Sequence, residues 1–241
     1  FPIRYNRGKE LRLKGGMCMN DSDQRPFDSS PSTWRQWLFL QWRGAGAFFC
    51  ARVKKIFLFT ILGMVLITAL TMVLLNNNQQ VLAELWQQVS AMFAEKEIVE
   101  GGDISLLALF LNNVNAGAFS IGLGIIPFLF LPIYSLFVNG VVVGVMGAVM
   151  LVSGLGLLPF LAGILPHGIF EIPALALGIS LGIRLCLTVI RLIFRKTYPG
   201  EFFVTLKSIV RLFFFWMVPL FAVAAVIETY ITPVILLASM P

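Results

Sequence analysis

One histidine and one glutamate stand one helical turn apart in a long apolar stretch, and their side chains offer the richest chemistry in this sequence. His167 is the only histidine in the chain, and Glu171 follows it by four residues. In a helix, this spacing places the imidazole and the carboxylate on one face, where they can pair, share a proton or hold an ion. Ionisable side chains are costly in lipid, so the pair indicates a functional site.

Four interpretations of this pair are open from the sequence. They are a structural ion pair or hydrogen-bond network, a proton or ion relay, metal coordination, and an interfacial location with no special role. Zinc peptidase chemistry is disfavoured because the chain has no His-Glu-x-x-His motif and no second histidine. We predict no catalytic residues and no cofactor, and we assign no metal ligands, with a metal site kept as the weaker alternative. Of the other charges in apolar stretches, we expect Arg184 to snorkel or pair and Glu228 to reach the interface.

Amide side chains occur in two neighbouring apolar segments. Asn112, Asn113 and Asn115 lie in the first, and Asn139 lies in the second. Because amides in hydrocarbon must find hydrogen-bond partners, these side chains should face the protein interior and hold helices together. We expect them to form one intramembrane polar core with His167 and Glu171.

Glycines recur at helical spacing in the same apolar segments. Such positions let two helices approach closely, although the spacing is common in glycine-rich apolar helices. The predicted packing glycines are Gly140, Gly144, Gly147, Gly168, Gly178 and Gly182.

The composition defines the class of protein that must position these residues. Hydrophobic residues make up 58% of the 241 residues and charged residues 12%, against about 45–50% and about 25% in soluble domains. Several apolar runs reach the roughly 20 residues that a membrane-crossing helix needs, without the alternation of a membrane barrel. We predict an all-α, polytopic membrane protein surrounded by lipid. Nucleotide-binding and nucleophile motifs are absent from the sequence, which disfavours an enzyme.

Five transmembrane spans account for the apolar runs. We place the first three at about 56–75, 105–125 and 131–152, the fourth ending near 194, and the fifth at about 212–237, interrupted by Pro219 and Pro233. The run before 194 is too long for one straight span, so we expect a re-entrant or interfacial piece near 157–165. Six spans are the alternative, if 104–165 crosses three times.

The charges indicate an orientation and exclude a nucleic-acid role. The net charge is +6, but the basic residues flank the spans instead of forming a basic domain, so we expect no nucleic-acid partner. With five spans, the basic residues before the first span and those between the fourth and fifth lie on one side, which the positive-inside rule assigns to the cytoplasm. We expect a multi-pass inner (cytoplasmic) membrane protein with a cytoplasmic N-terminus.

Three regions follow along the chain. Residues 1–33 are basic and polar and read as a disordered leader. Residues 34–55 carry tryptophans at helical spacing and predict a cytoplasmic amphipathic helix, lying at the membrane surface or packed on the protein. Residues 56–241 form the transmembrane domain, including an acidic external segment at 76–103 that is partly helical. Its apolar stripe is Leu82, Leu85, Trp86, Val89 and Met92.

The sequence resembles the stage II sporulation protein M family of integral membrane proteins. The resemblance rests on Asn112 and Asn113 with Ala116, on Asn139-Gly140 followed by Gly144, and above all on the segment 166–174, which is similar to the family's His-Gly-x-x-Glu core. It covers roughly 55–237.

This resemblance implies a multi-span protein without catalytic activity of its own. The family's namesake works beside a membrane-anchored peptidoglycan hydrolase and another membrane protein, and relatives occur in organisms that never sporulate. We therefore expect a scaffold or regulatory subunit for envelope remodelling, a homodimer formed through small-residue helix faces, with a hydrolase or an ATPase as partner. The alternative is a permease-like subunit of an ABC-type exporter or of an ion-coupled transporter that uses the His/Glu/Asn cluster.

Overall fold

The computed structural model describes residues 33–95, 99–100, 103–198 and 200–240, and nearly all of them are helical. The α-helices are α1 (Trp34–Phe48), α2 (Lys54–Asn76), α3 (Gln79–Glu95), α4 (Leu106–Gly122), α5 (Pro132–Val152), α6 (Leu157–Ile193), α7 (Gly200–Leu212), α8 (Val218–Tyr230) and α9 (Thr232–Ser239). Two short strands, β1 (Val99–Glu100) and β2 (Asp103–Ile104), pair antiparallel. The predicted all-α class is confirmed, with this small hairpin as an addition.

Short irregular helical turns connect several of these helices. A π-helical turn (Phe49–Val53) joins α1 to α2, and a second one (Phe213–Met217) joins α7 to α8. A 3₁₀ turn (Leu123–Ile125) extends α4. Three longer runs therefore form, each continuing one helical path across a local irregularity.

Within the described ranges, five helical runs are long and apolar enough to cross a membrane, as predicted. They are Trp34–Asn76, Leu106–Ile125, Pro132–Val152, Leu157–Ile193 and Gly200–Tyr230. On α2, the large apolar side chains of Phe59, Leu62, Leu66 and Val73 recur at helical spacing and are exposed. A helix that shows such a face to its surroundings suits contact with hydrocarbon.

Helix α6 forms the centre of the bundle. It contacts α2, α4, α5, α7, α8 and α9, and 72% of its apolar segment is buried, compared with 22–33% in the other four spans. From Ala174 to Gly182, Ala, Gly or Ser alternates with Leu or Ile, and every residue is buried. The small residues let neighbouring helices approach from several sides.

Glycines set the closest helix contacts around α6. A Cβ atom at Gly182 would lie 2.2 Å from the Ser120 carbonyl oxygen, and one at Gly178 would lie 3.1 Å from the Gly117 carbonyl oxygen. The backbones of α4 and α6 therefore touch at positions where any larger residue would force them apart.

The three glycines of α5 also mark close contacts with neighbouring helices. A Cβ at Gly140 would lie 2.8 Å from Ile67 Cγ2, and one at Gly144 would lie 2.5 Å from Thr71 Cβ, both on α2. Gly147 faces Met72 of α2 and Phe160 of α6. These small-residue faces are covered by helices of the same chain, so a homodimer would need a surface other than the one expected from the sequence.

Gly168 differs from the other predicted packing glycines. The atoms nearest to a Cβ at this position belong to Ile164 and Ile172 of its own helix, the closest at 3.2 Å. The prediction that Gly168 admits another backbone is therefore wrong. Gly168 instead lies on the wall of the cavity described below.

The segment before the fourth span also differs from expectation. In place of a separate re-entrant piece at 157–165, residues Leu157–Ile193 form one helix that continues through Pro166 and Pro173. A proline inside a membrane helix is tolerated where surrounding helices stabilise the local irregularity, and α6 is enclosed on most sides. At about 1.5 Å per residue, α6 is about 55 Å long, so it must tilt or extend beyond a hydrocarbon core of about 30 Å.

The tryptophan-bearing helix α1 packs on the rest of the protein and is continuous with the first span. Trp42 lies 5.6 Å from Trp216 between ring centroids, and Trp37 lies 6.4 Å from Phe215. The boundary expected at residue 55 falls inside the helical run from Trp34 to Asn76. Residues 1–32 of the predicted leader lie outside the described residues.

The predicted apolar stripe of the acidic segment forms one face of α3. Leu82 and Val89 are buried with Leu75, Val145 and Ala148, so α3 packs against α5. Leu85 is partly buried against the same cluster, whereas Trp86 is 40% exposed. Helix α3 is thus packed against the transmembrane bundle instead of extending away from it.

Candidate functional site

The first half of α6 presents His167 and Glu171 on one face, as their spacing predicts. His167 Nε2 lies 3.7 Å from Glu171 Oε2, and the side chains are 11% and 20% exposed. The helix continues through this region despite Pro166, which directly precedes the histidine. An imidazole and a carboxylate are therefore held together, largely away from solvent.

Glu228 of α8 completes this cluster and was not expected there. Its Oε2 lies 4.0 Å from His167 Nε2, and the side chain is 24% exposed. One candidate ligand atom each from His167, Glu171 and Glu228 lies within 4.8 Å of the others. Glu228 Oε2 is also buried without a hydrogen-bond partner. We call these three residues the His-Glu-Glu cluster.

Thr232, at the start of α9, holds the other side of the imidazole. His167 Nδ1 lies 3.2 Å from Thr232 Oγ1, and the Thr232 hydroxyl donates to the Ile227 carbonyl oxygen at 3.2 Å. A hydroxyl has one proton, so with that proton directed at Ile227 its oxygen accepts from Nδ1–H. This tautomer leaves the lone pair of Nε2 facing the two glutamates.

With both of its carboxyl groups ionised, the His-Glu-Glu cluster would carry a surplus of negative charge. A neutral imidazole and two carboxylates sum to a charge of minus two, and burial makes an uncompensated charge costly. Among the described residues, no Lys or Arg forms an ion pair with Glu171 or Glu228. The cluster therefore requires protons or another cation as compensation.

A cavity of about 920 Å³ adjoins the cluster. Every residue of the predicted polar core lies on its wall, together with Glu228 and Thr232. The core residues are Asn112, Asn113, Asn115, Asn139, His167 and Glu171. The remainder of the wall is largely apolar and includes Met64, Leu109, Phe119, Met146 and Leu236. A few polar groups converging in an apolar space are typical of a small-ligand site.

The asparagines make fewer hydrogen bonds between helices than expected. Asn139 Nδ2 donates to Ser135 O of its own helix at 2.8 Å, and Asn112 Nδ2 donates to Asn113 Oδ1 at 3.4 Å. Asn113 is 4% exposed, yet its Nδ2 has no hydrogen-bond partner. These amides therefore keep hydrogen-bonding capacity for an occupant of the cavity.

Hydroxyl groups provide the bonds between helices that the amides were expected to make. Ser120 of α4 and Ser135 of α5 are 2.6 Å apart between Oγ atoms, and Ser180 of α6 donates to Thr60 of α2 at 3.2 Å. Thr68 Oγ1 donates to the Gly140 carbonyl oxygen at 3.1 Å. Serine and threonine bond readily to their own helix backbone, so the sequence alone did not mark them as links.

A second ionic cluster lies farther along α6. Arg184 Nη2 contacts Glu201 Oε1 at 3.2 Å, and Arg52 Nη1 lies 3.8 Å from the same oxygen. Thr197 Oγ1 also donates to Glu201 Oε2. Arg184 therefore pairs, which was one of the two expectations for it. Through Arg52, the cluster also joins the π-helical turn between α1 and α2 to the start of α7.

The comparisons with known proteins identify a family for most of the chain. A family model described as stage II sporulation protein M matches residues 55–233. This range runs from the start of α2 into α9 and includes the His-Glu-Glu cluster and its cavity. Searches of curated proteins and of solved structures gave no match.

Proposed function

Because the chain belongs to the stage II sporulation protein M family, we propose that it is a non-enzymatic membrane subunit that acts with partner proteins in remodelling the cell envelope, including peptidoglycan. The observation that carries this proposal is the family match over residues 55–233, which includes residues 55–76 of the first membrane-length run and the other four runs completely. In this proposal, the bundle serves as a scaffold or regulator, and its partners supply the chemistry.

The polar residues support a scaffold by fixing how the helices meet. The His-Glu-Glu cluster and Thr232 connect α6 to α8 and α9, and the Arg184–Glu201 pair connects the distant part of α6 to α7. Polar contacts between buried side chains on different helices favour one arrangement of those helices. A defined arrangement would present a constant surface to partners.

Replacing His167 or Glu171 with alanine tests this structural role. We expect both variants to bind partners when assembled, but to be less stable and to assemble poorly in mild detergent. Ile169→Ala is the matched control, because Ile169 lies on the same turn with a side chain that is 64% exposed. Wild-type stability and oligomeric state in both polar variants would contradict the role.

Identification of co-purifying proteins tests the partnership. The tagged protein would be extracted in mild detergent beside an unrelated multi-span protein with the same tag, and bound proteins would be identified by mass spectrometry. We expect specific recovery of a membrane-anchored peptidoglycan hydrolase. Specific recovery of a transport ATPase, with no hydrolase, would contradict this proposal and favour the second one.

The cavity favours a second candidate, a permease-like transport subunit. Its volume of about 920 Å³ falls in the range of small-molecule sites, about 300–1,000 Å³. Ionisable residues that face a cavity within a membrane often mark a substrate or proton path. The energy would come from a partner ATPase or an ion gradient.

Liposomes containing the purified protein test transport. If the cluster relays protons, an imposed pH gradient should drive a flux that His167→Ala abolishes and that Ile169→Ala retains. A flux unchanged by His167→Ala would remove His167 from the path.

A further inference from the structure

We propose that His167, Glu171 and Glu228 form a binding site for one divalent transition-metal ion in the wall of the intramembrane cavity. The sequence alone predicts no metal ligands here, because it offers a single histidine and places Glu228 far along the chain. The fold brings α8 against α6 and thereby supplies the third ligand.

The geometry suits an ion after a small adjustment. A metal with bonds of about 2.0–2.2 Å to nitrogen and oxygen holds neighbouring ligand atoms roughly 3–3.5 Å apart. The separations from His167 Nε2 are 3.7 Å to Glu171 Oε2 and 4.0 Å to Glu228 Oε2. Each of these two separations must shorten by up to about 1 Å. The Glu171 and Glu228 oxygens lie within 4.8 Å of each other and must approach by up to about 1.8 Å, which rotation of both side chains between rotamers can provide.

The charge and the orientation of the ligands point to a cation. A divalent ion would neutralise the two carboxylates beside a neutral imidazole, a combination that is costly when buried and uncompensated. Glu228 Oε2 is buried without a hydrogen-bond partner and lies beside Nε2. Such an oxygen lacks the interaction that a bound ion would supply.

Thr232 provides the outer support that histidine ligands usually have. Metal-bound histidines commonly donate their second ring N–H to an oxygen acceptor, which fixes the tautomer and the ring orientation. Here Nδ1 faces Thr232 Oγ1 at 3.2 Å, and the Thr232 hydroxyl is anchored on Ile227 O. The lone pair available for a metal is thus the one that faces both glutamates.

The ligand set narrows the class of ion. One imidazole and two carboxylates suit Zn²⁺, Mn²⁺ or Fe²⁺ better than the thiolate-preferring Cu⁺. Three protein ligands leave at least one coordination position free. Because the cluster lines the cavity, that position would accept water or an anionic group of a molecule inside it.

Zinc binding to the purified full-length protein tests the site directly. The protein should carry a tag without histidines, be stripped with a chelator, and be titrated with Zn²⁺ by calorimetry and by elemental analysis after desalting. We expect one ion per chain, with affinity reduced at least about tenfold in Glu171→Gln and Glu228→Gln. Glu84→Gln is the matched control, because Glu84 is an exposed carboxylate on α3.

A spectroscopic readout works without any variant, because the chain has one histidine. Labelling with ¹⁵N-histidine gives one labelled imidazole, that of His167. Zn²⁺ should shift its Nε2 resonance while Nδ1 remains protonated. Failure of the wild type to bind Zn²⁺, with protons alone changing the imidazole spectrum, would overturn the proposal. Equal Zn²⁺ affinity in wild type and Glu228→Gln would overturn it as well.

Discussion

At the scale of single residues, Thr232 orients the imidazole ring of His167 and selects its tautomer. The hydroxyl lies between the imidazole and the Ile227 carbonyl oxygen, so it determines which ring nitrogen faces the glutamates. The spacing of His167 and Glu171 was readable from the sequence because four residues make about one helical turn. The contacts of Thr232 and Glu228 with His167 could not be predicted from the sequence, because both depend on where α8 and α9 pack.

Thr232→Val should remove this support while preserving the shape of the side chain. We expect a loss of about 1 kcal/mol in the free energy of unfolding, because the buried Nδ1–H loses its acceptor. Denaturation in mild detergent would measure the loss, and ¹⁵N-histidine spectra would show whether Nδ1 still carries the proton.

Thr232→Ser is the control, because it retains the hydroxyl and should keep both the stability and the tautomer. Wild-type stability and an unchanged tautomer in Thr232→Val would show that Thr232 does not orient the imidazole.

At the scale of elements, α6 combines two functions that the sequence suggested separately. Its glycines permit close contact with α4, while its polar residues face the cavity and the Arg184–Glu201 pair. The glycine spacing identified packing faces without indicating their partners. The partners within the chain follow from how the helices assemble, which helical periodicity does not encode.

Gly182→Ala should disrupt the contact between α6 and α4. The added Cβ would lie 2.2 Å from the Ser120 carbonyl oxygen, and a backbone atom cannot rotate away as a side chain can. We expect the free energy of unfolding to fall by about 1–3 kcal/mol or more, measured by denaturation in detergent.

Gly122→Ala is the matched control in α4, because a Cβ there meets nothing within 4 Å. Alanine favours a helix over glycine by about 0.5–1 kcal/mol, so this variant should be as stable as wild type or more so. Equal stability of Gly182→Ala and Gly122→Ala would contradict the proposed close contact.

At the scale of the whole molecule, the two polar clusters on α6 lie toward opposite ends of the bundle. His167 and Arg184 are 17 positions apart in one helix, or about 25 Å along its axis. At one end, which we call the basic end, Arg52 and Arg184 meet at Glu201. If the basic end is cytoplasmic, as the charge distribution predicts, the cavity lies toward the outer side.

Cysteine labelling would test this orientation. In a variant whose three native cysteines are replaced by alanine, single cysteines would be placed at Ser153, between α5 and α6, or at Lys196, between α6 and α7. A membrane-impermeant maleimide should label Ser153→Cys in intact spheroplasts and Lys196→Cys only after lysis. The reverse pattern would invert the predicted topology.

The sequence by itself determined the helical membrane class, favoured five spans over six, and placed His167 and Glu171 on one helical face. These features depend on composition, on run length and on contacts within one helical turn, all of which are local. The tertiary structure decided that α6 continues through its prolines, which helices cover its glycines, and that Glu228 joins His167. Those outcomes depend on contacts between distant segments, and such contacts form only when the helices pack into one bundle.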